Sequence, residues 1–272
     1  MISTLMVNLI LGRPNAHVLD AAVRIAARFD GGVVGFAVCR PIQTVCHDFA
    51  VPAVLFDEDR KEIERHFKAG ELEFRRAVAK LKGCTEWRAH TTIFPLAEYL
   101  SRQARNADLV LVGTEHGQCD TTRRPDLRDF VMAVGRPVLL VPVGTAMNGL
   151  DSVVVAWKDT REARRAVVDA LPFLKAATKT TIVEMADDEE LPEARSAVAE
   201  VVSWLGHHGV RADAKVTLPS RANALQLEAI ARDLEADLVV AGAYGYTRQG
   251  QWVLGGVTTQ LLAGDRCALV AH

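Results

Sequence analysis

A near-duplication constrains this chain more than any other feature. Ala107-Asp-Leu-Val-Leu-Val-Gly113 recurs as Ala236-Asp-Leu-Val-Val-Ala-Gly242, and Arg136-Pro-Val-Leu-Leu-Val141 recurs as Arg266-Cys-Ala-Leu-Val-Ala271. Each is a short apolar run of the kind that forms a strand covered on both faces. A repeated order of such runs, with helical periodicity between them, leaves few folds open.

In the first half the predicted strands are 5–11, 33–38, 85–93, 108–113 and 137–143. Asn15 is placed to cap a helix with Val18, Ala22 and Ile25 inward, closed by Gly31-Gly32. A loop with Pro41, His47 and Pro52 leads to a long helix opened by Asp57-Glu58-Asp59, where the helix dipole favours negative charge. Its inner face is Ile63, Phe67, Phe74, Val78 and Leu81, and Gly83 ends it. Two more helices are expected over 96–106 and 127–134.

The second half repeats this order, with strands 152–157, 180–185, 211–217, 237–242 and 267–271. Helices are expected over 161–174, 222–235 and 257–262, and on a face of Leu191, Ala194, Val198, Val201 and Leu205. The alternation predicts an α/β protein of two doubly wound, five-stranded parallel-sheet domains, at 1–144 and 150–272, joined by a linker over 144–149. Ligands in such sheets bind at the carboxyl edge, where strand order reverses.

Length and composition agree: 272 residues suit two domains, and 49% hydrophobic with 24% charged residues is ordinary for a globular protein. A formal charge of −2 gives no electrostatic case for nucleic acid or a membrane surface. No apolar run approaches the ~20 residues that span a bilayer, and the apolar start at 1–11 lacks a basic region and cleavage site. Five scattered cysteines without a C-x-x-C pair fit reduced thiols. These points place the chain in the cytoplasm. No His/Cys spacing matches a metal ligand set, and His207-His208 before Gly209 reads as a helix end.

The stretch 237–262 carries the functional signal. A strand runs into glycines at Gly242, Gly245, Gly250, Gly255 and Gly256, and a helix starts at Val257. Glycine admits a ligand close to the backbone, and a helix N-terminus adds unpaired N–H donors, so this arrangement can hold an anion. The pattern Gly242, two residues, Gly245, nine residues, Gly255-Gly256 resembles the signature of the universal stress protein family. So does Trp252-Val-Leu-Gly-Gly-Val-Thr258, most closely in tandem bacterial members. In the family this loop cradles the ribose and phosphates of ATP. The family's hydroxyl residue after the third glycine is Gly256 here.

The resemblance implies an adenine-nucleotide α-hydrolase-like fold in tandem, the halves related by a pseudo-twofold axis. It also implies that the last strands of the halves pair within one chain as an intramolecular pseudo-dimer, with a homodimer of chains also open. The family's acid past strand one matches Lys158-Asp159-Thr160, one position late. Asp159 would hold a ribose or adenine edge and Lys158 a phosphate; alternatively Asp159 or Thr160 caps the next helix. Arg248 would pair with phosphate or simply face solvent. Thr258 and Thr259 would replace the missing hydroxyl or cap the helix. Tyr244 and Trp252 are pocket-lining or core.

In the first half the strand exit Gly12-Arg-Pro-Asn15 has no acid, and no Gly-nine-Gly pattern follows Gly113. Glu115 and Asp120 would repel a polyphosphate unless Arg123 and Arg124 offset them. His116 lacks an identifiable nucleophile or orienting partner for acid–base chemistry. This half reads as a degenerate copy that supplies an interface.

Three functions follow. The first is a stress-response binding and signalling module that takes an adenine nucleotide (ATP, with AMP or none as alternatives) in its second half. The second is a non-nucleotide scaffold acting through an unidentified protein partner or a small apolar ligand. The third is a slow ATPase, for which no base or metal-binding acid stands out; no catalytic residue is named.

Overall fold

The structure is a computed structural model, and it describes residues 2–42, 53–114, 122–145, 147, 149–220, 223–243, 245–246, 252–253 and 256–272. It divides into two compact units, Met1–Ala146 and Met147–His272.

The first unit holds strands β1 (Thr4–Leu9), β2 (Gly32–Cys39), β3 (Thr85–Thr91), β4 (Leu109–Thr114) and β5 (Val138–Pro142). Its helices are α1 (Ala16–Phe29), α2 (Ala53–Val78), α3 (Leu96–Gln103) and α4 (Leu127–Val134). The strand order is β3-β2-β1-β4-β5, and every pair within it is parallel.

The second unit holds β6 (Ser152–Trp157), β7 (Lys179–Met185), β8 (Ala212–Thr217), β9 (Leu238–Gly242) and a two-stranded ribbon of β10 (Gly245–Tyr246) and β11 (Trp252–Val253). It ends with β12 (Ala268–Ala271), and its helices are α5 (Arg161–Ala176), α6 (Leu191–His207), α7 (Asn223–Asp233) and α8 (Gly256–Ala263). The order β8-β7-β6-β9-β12 repeats that of the first unit, again all parallel. The doubly wound α/β architecture, five parallel strands to each unit, is the one expected.

The repeated sequence has a structural meaning. Asp108 Oδ2 accepts from the N–H groups of Ser3 and Thr4, at 2.8 and 3.0 Å. Asp237 Oδ2 accepts from Asp151 and Ser152, both at 2.9 Å. Each aspartate therefore fastens the start of its unit's first strand. Arg136 and Arg266 likewise donate to the carbonyls of Arg105 and Ala236, just ahead of β4 and β9. The central strands are buried over most of their length, as apolar runs covered on both faces must be.

Three local expectations are corrected. Asn15 stands at the start of α1 but makes no side-chain cap. It is 3% exposed, and its amide instead folds the preceding loop, with Oδ1 accepting from Ile10 N and Nδ2 donating to the Ile10 and Arg13 carbonyls. The left-handed residue that ends α1 is Asp30 (φ 54°), ahead of Gly31-Gly32. Finally, α2 begins at Ala53, so Asp57-Glu58-Asp59 lie beyond its first turn. Asp59 instead pairs with Arg123 (2.9 Å, both side chains 14% exposed) and accepts from Ile42 N.

Candidate functional site

In the second unit, strand order reverses at β6, whose neighbours are β7 and β9. The carboxyl ends of β6 and β9 thus flank the crevice where ligands bind in open α/β sheets. From the β6 side come Lys158, Asp159 and Thr160. From the β9 side come Gly242 and the loop to α8.

Thr160 caps α5, its hydroxyl accepting from Ala163 N at 3.2 Å. Asp159 pairs instead with Arg164 on the first turns of α5, at 2.9 Å to Nε and 2.5 Å to Nη2. Both side chains are more than half exposed, so this pair is screened and contributes little to stability. Lys158 follows β6 directly, and its carbonyl accepts from Thr160 N at 2.6 Å.

Gly242 is sterically required here. A Cβ on it would meet Ala163 N at 2.5 Å and the Glu162 carbonyl carbon at 2.7 Å. The close backbone approach that this glycine permits is thus to the first turn of α5. In the first unit Gly113 faces the His17 ring of α1 in the same way, with Nε2 at 2.6 Å.

Gly245 lies in the β10–β11 ribbon, paired with Val253. Gly256 and Val257 open α8, and Thr258, in its first turn, is 4% exposed. Its hydroxyl is therefore turned away from solvent. Tyr244, Arg248, Gly250 and Gly255 lie outside the described residues, as do His47, Glu115, His116 and Asp120. Among the described residues no three His, Cys, Asp or Glu side chains cluster as a metal site, and no helix is long and apolar enough to cross a membrane.

Two features at this edge escaped sequence reasoning. Glu184 sits on β7 in register with Trp157, only 7% exposed, and its Oε2 has no partner among the described residues. Burial pushes its carboxyl up to about 7; Lys158 opposes the rise, while Asp159 and Glu190 add to it. The second feature is a groove of about 540 Å³ between α5 and α6. Trp157 is its floor, Val167 and Val168 form one wall, and Val201 and Trp204 form the other. The Asp159–Arg164 pair stands at its rim. The available signal was surplus apolarity: Val168 is 49% exposed, off the buried face of its helix.

The first unit leaves less space at the corresponding strand exit. Glu73 of α2 accepts from Asn15 N at 2.9 Å and from Asn15 Nδ2 at 3.4 Å, tying the β1 exit to the helix. His66 covers Gly12 (φ +72°), where a Cβ would lie 3.0 Å from the ring. Farther under α2, Phe74 is fully buried over Gly35 of β2 with its ring 5.6 Å from that of Trp87, and Phe67 packs against Leu11, Ala37, Cys39 and Ile63. A cavity of about 160 Å³ is left. Nearby, burial pushes the Cys39 thiol up to about 11, with Arg123 acting in the opposite sense.

No known family's sequence profile matches the chain, and no curated protein matches it by sequence. Solved structures do match it. A universal stress protein from Archaeoglobus fulgidus DSM 4304 aligns over 98% of this chain and 97% of its own, with a TM-score of 0.73 at 12% identity. A protein of unknown function from Pseudomonas aeruginosa PAO1 aligns over 99% of this chain and 92% of its own, with a TM-score of 0.64 at 12% identity. At such identity the likeness concerns the fold, and from end to end this chain has the fold of the universal stress proteins.

Proposed function

We propose that this chain is a tandem universal stress protein, a binding and signalling module whose second half carries an adenine nucleotide, ATP by preference, with low affinity. The observation that carries this reading is the path from β9 through Gly242 and the ribbon at Gly245 to the start of α8 at Gly256. Because α8 leads back to β12, parallel to β9, its first N–H groups belong to the carboxyl edge. Lys158 and Asp159 would meet the nucleotide from the β6 side. Arg248, Gly255, Val257 and Thr258 complete the proposed contacts. Gly256 offers no hydroxyl and that of Thr258 is turned away from solvent, so Thr258 would meet the nucleotide through its backbone N–H and one hydrogen bond to a charged oxygen would be lost. That loss is worth about 1.5–3 kcal/mol, or roughly one to two decades of affinity.

A second reading, a scaffold for a non-nucleotide ligand, is favoured by one observation. Asp159 and Thr160 are already engaged, with Arg164 and with the α5 cap. Mass spectrometry of what the purified protein releases on denaturation separates the two. Released adenine nucleotide supports the first reading, and its absence from a folded, concentrated sample supports the second.

A further inference from the structure

We propose that Glu184 is a proton-operated switch at the exit of β6. Protonated, it leaves Lys158 to the crevice; ionised, it draws the Lys158 ammonium towards itself, so phosphate at this edge is held less tightly as pH rises. The effect on a nucleotide rests on the reading above, whereas the pairing of Glu184 with Lys158 does not. Register carries the inference. Trp157 of β6 lies opposite Glu184 of β7, and Lys158 and Asp159 follow at once. Leu5 and Val153 pair with the repeated Leu109 and Leu238, so the same places in the first unit are Leu9 opposite Ala37, followed by Ile10 and Leu11. Those four are at most 5% exposed. The second unit thus sets three ionisable groups where the first has only apolar side chains.

Burial decides what such a group can do. Glu184 is 7% exposed, and its Oε2 has no partner among the described residues. A neutral carboxyl is tolerated there, whereas a carboxylate lacks both water and a donor and must recruit a cation. The charged groups that act on it are Lys158 and Asp159 from the β6 exit and Glu190 from the start of α6, and of these only Lys158 is positive. Arg164 of α5 is engaged by Asp159, and on β8 the residue in register is Val216. Lys158 is exposed, and its flexible stem lets the ammonium turn either way. Burial, the largest influence, moves the Glu184 carboxyl up to about 7, so its charge changes across the neutral range. Above that pH the ammonium is taken from the crevice and a negative charge is added beside it. Both changes oppose a phosphate.

The test uses the full chain with ¹³C-labelled glutamate carboxyls, the Glu184 signal being assigned by its loss in Glu184→Gln. Without nucleotide its midpoint should lie near 7. It should rise by at least about half a pH unit in Lys158→Met, which keeps the stem and removes the charge. ATP is then titrated by calorimetry at pH 6 and pH 8. Glu184→Gln carries the pH dependence of ATP itself, and against that reference the parent should lose about tenfold in affinity between the two pH values. By reciprocity, saturating ATP should raise the Glu184 midpoint by about one pH unit. An ordinary carboxyl midpoint in the parent, or one that Lys158→Met leaves in place, overturns the pairing. The same pH profile for ATP in the parent and in Glu184→Gln overturns the switch. No ATP binding by either protein at either pH contradicts the nucleotide reading, while the carboxyl titration still decides the pairing, so the two failures are told apart.

Discussion

Where β1 leaves its sheet, the loop to α1 is held by α2 through Asn15, Glu73 and His66. Where β6 leaves its sheet, the loop to α5 is held by α5 alone, through Thr160 and the Asp159–Arg164 pair. Topology is the same and so is the fastening of the first strand, by Asp108 in one unit and Asp237 in the other. The difference lies in what α2 and α6 bring to the space beside the first helix. α2 brings His66 and Glu73, which reach the loop after β1, and a cavity of about 160 Å³ is left. α6 brings Ala197, Val201 and Trp204, which leave a groove of about 540 Å³. The two units share the residues that fasten the sheet and differ in those that fill one flank of it.

The comparison breaks most directly at Phe74. Phe74→Ala removes a fully buried ring from the closed flank and should destabilise the chain by about 3–5 kcal/mol. Val168→Ala, at the half-exposed wall of the open flank, should change stability by less than about 0.5 kcal/mol. Urea unfolding of the two variants measures both, and comparable losses would mean that the second flank is packed after all.

Glu184 gives the next largest effect. Its folded pKa of about 7 stands above the ordinary carboxyl value, so the folded state holds its proton more tightly than the unfolded chain. Stability from this group is therefore fully present below the unfolded pKa near 4.5 and falls as pH rises through 7. The difference is on the order of 3 kcal/mol. Glu184→Gln should flatten this dependence and be more stable than the parent at pH 8. Parallel urea midpoints for the two proteins between pH 5 and 8 would contradict the assignment.

A smaller contrast separates the equivalent glycines. Gly242→Ala drives a methyl into the backbone of α5, which cannot yield without moving the helix. Gly113→Ala drives one into the far edge of the His17 ring, a side chain and not backbone. The first should cost about 1–3 kcal/mol and the second less. Thermal melts of both in one buffer would show the order, and a reversed order would mean that His17 is the more rigid neighbour.

The strands and helices were legible because buried parallel strands are apolar throughout and helix faces repeat at 3.6 residues. Leu127–Val134 and Ser152–Trp157 fall where that pattern puts them. Partners of loop residues were not legible. Asn15 has the chemistry of a cap, yet its Oδ1 accepts from Ile10 N, and its own backbone N–H goes to Glu73, far along the chain. The acidic triplet marks the start of α2 one turn late, because Asp59 answers to Arg123 and not to the helix dipole. The glycine spacing reads Gly242 as part of a phosphate loop, while the contact it makes is the close approach of α5. Nothing in the spacing announces the ribbon of Gly245–Tyr246 with Trp252–Val253. Nor could sequence show that Trp157 and Glu184 would be neighbours on adjacent strands.

Nucleotide binding by the second half is tested most directly by calorimetric titration of ATP into three proteins: the parent chain, Gly256→Ser and Gly245→Val. Valine suits a strand, so the ribbon at Gly245 should persist while its side chain blocks the approach of a ligand to the backbone. The parent should bind weakly, Gly256→Ser should bind roughly one to two decades more tightly, and Gly245→Val should not bind. Equal ATP affinity in the parent and in folded Gly245→Val would place the nucleotide elsewhere and contradict the proposed site.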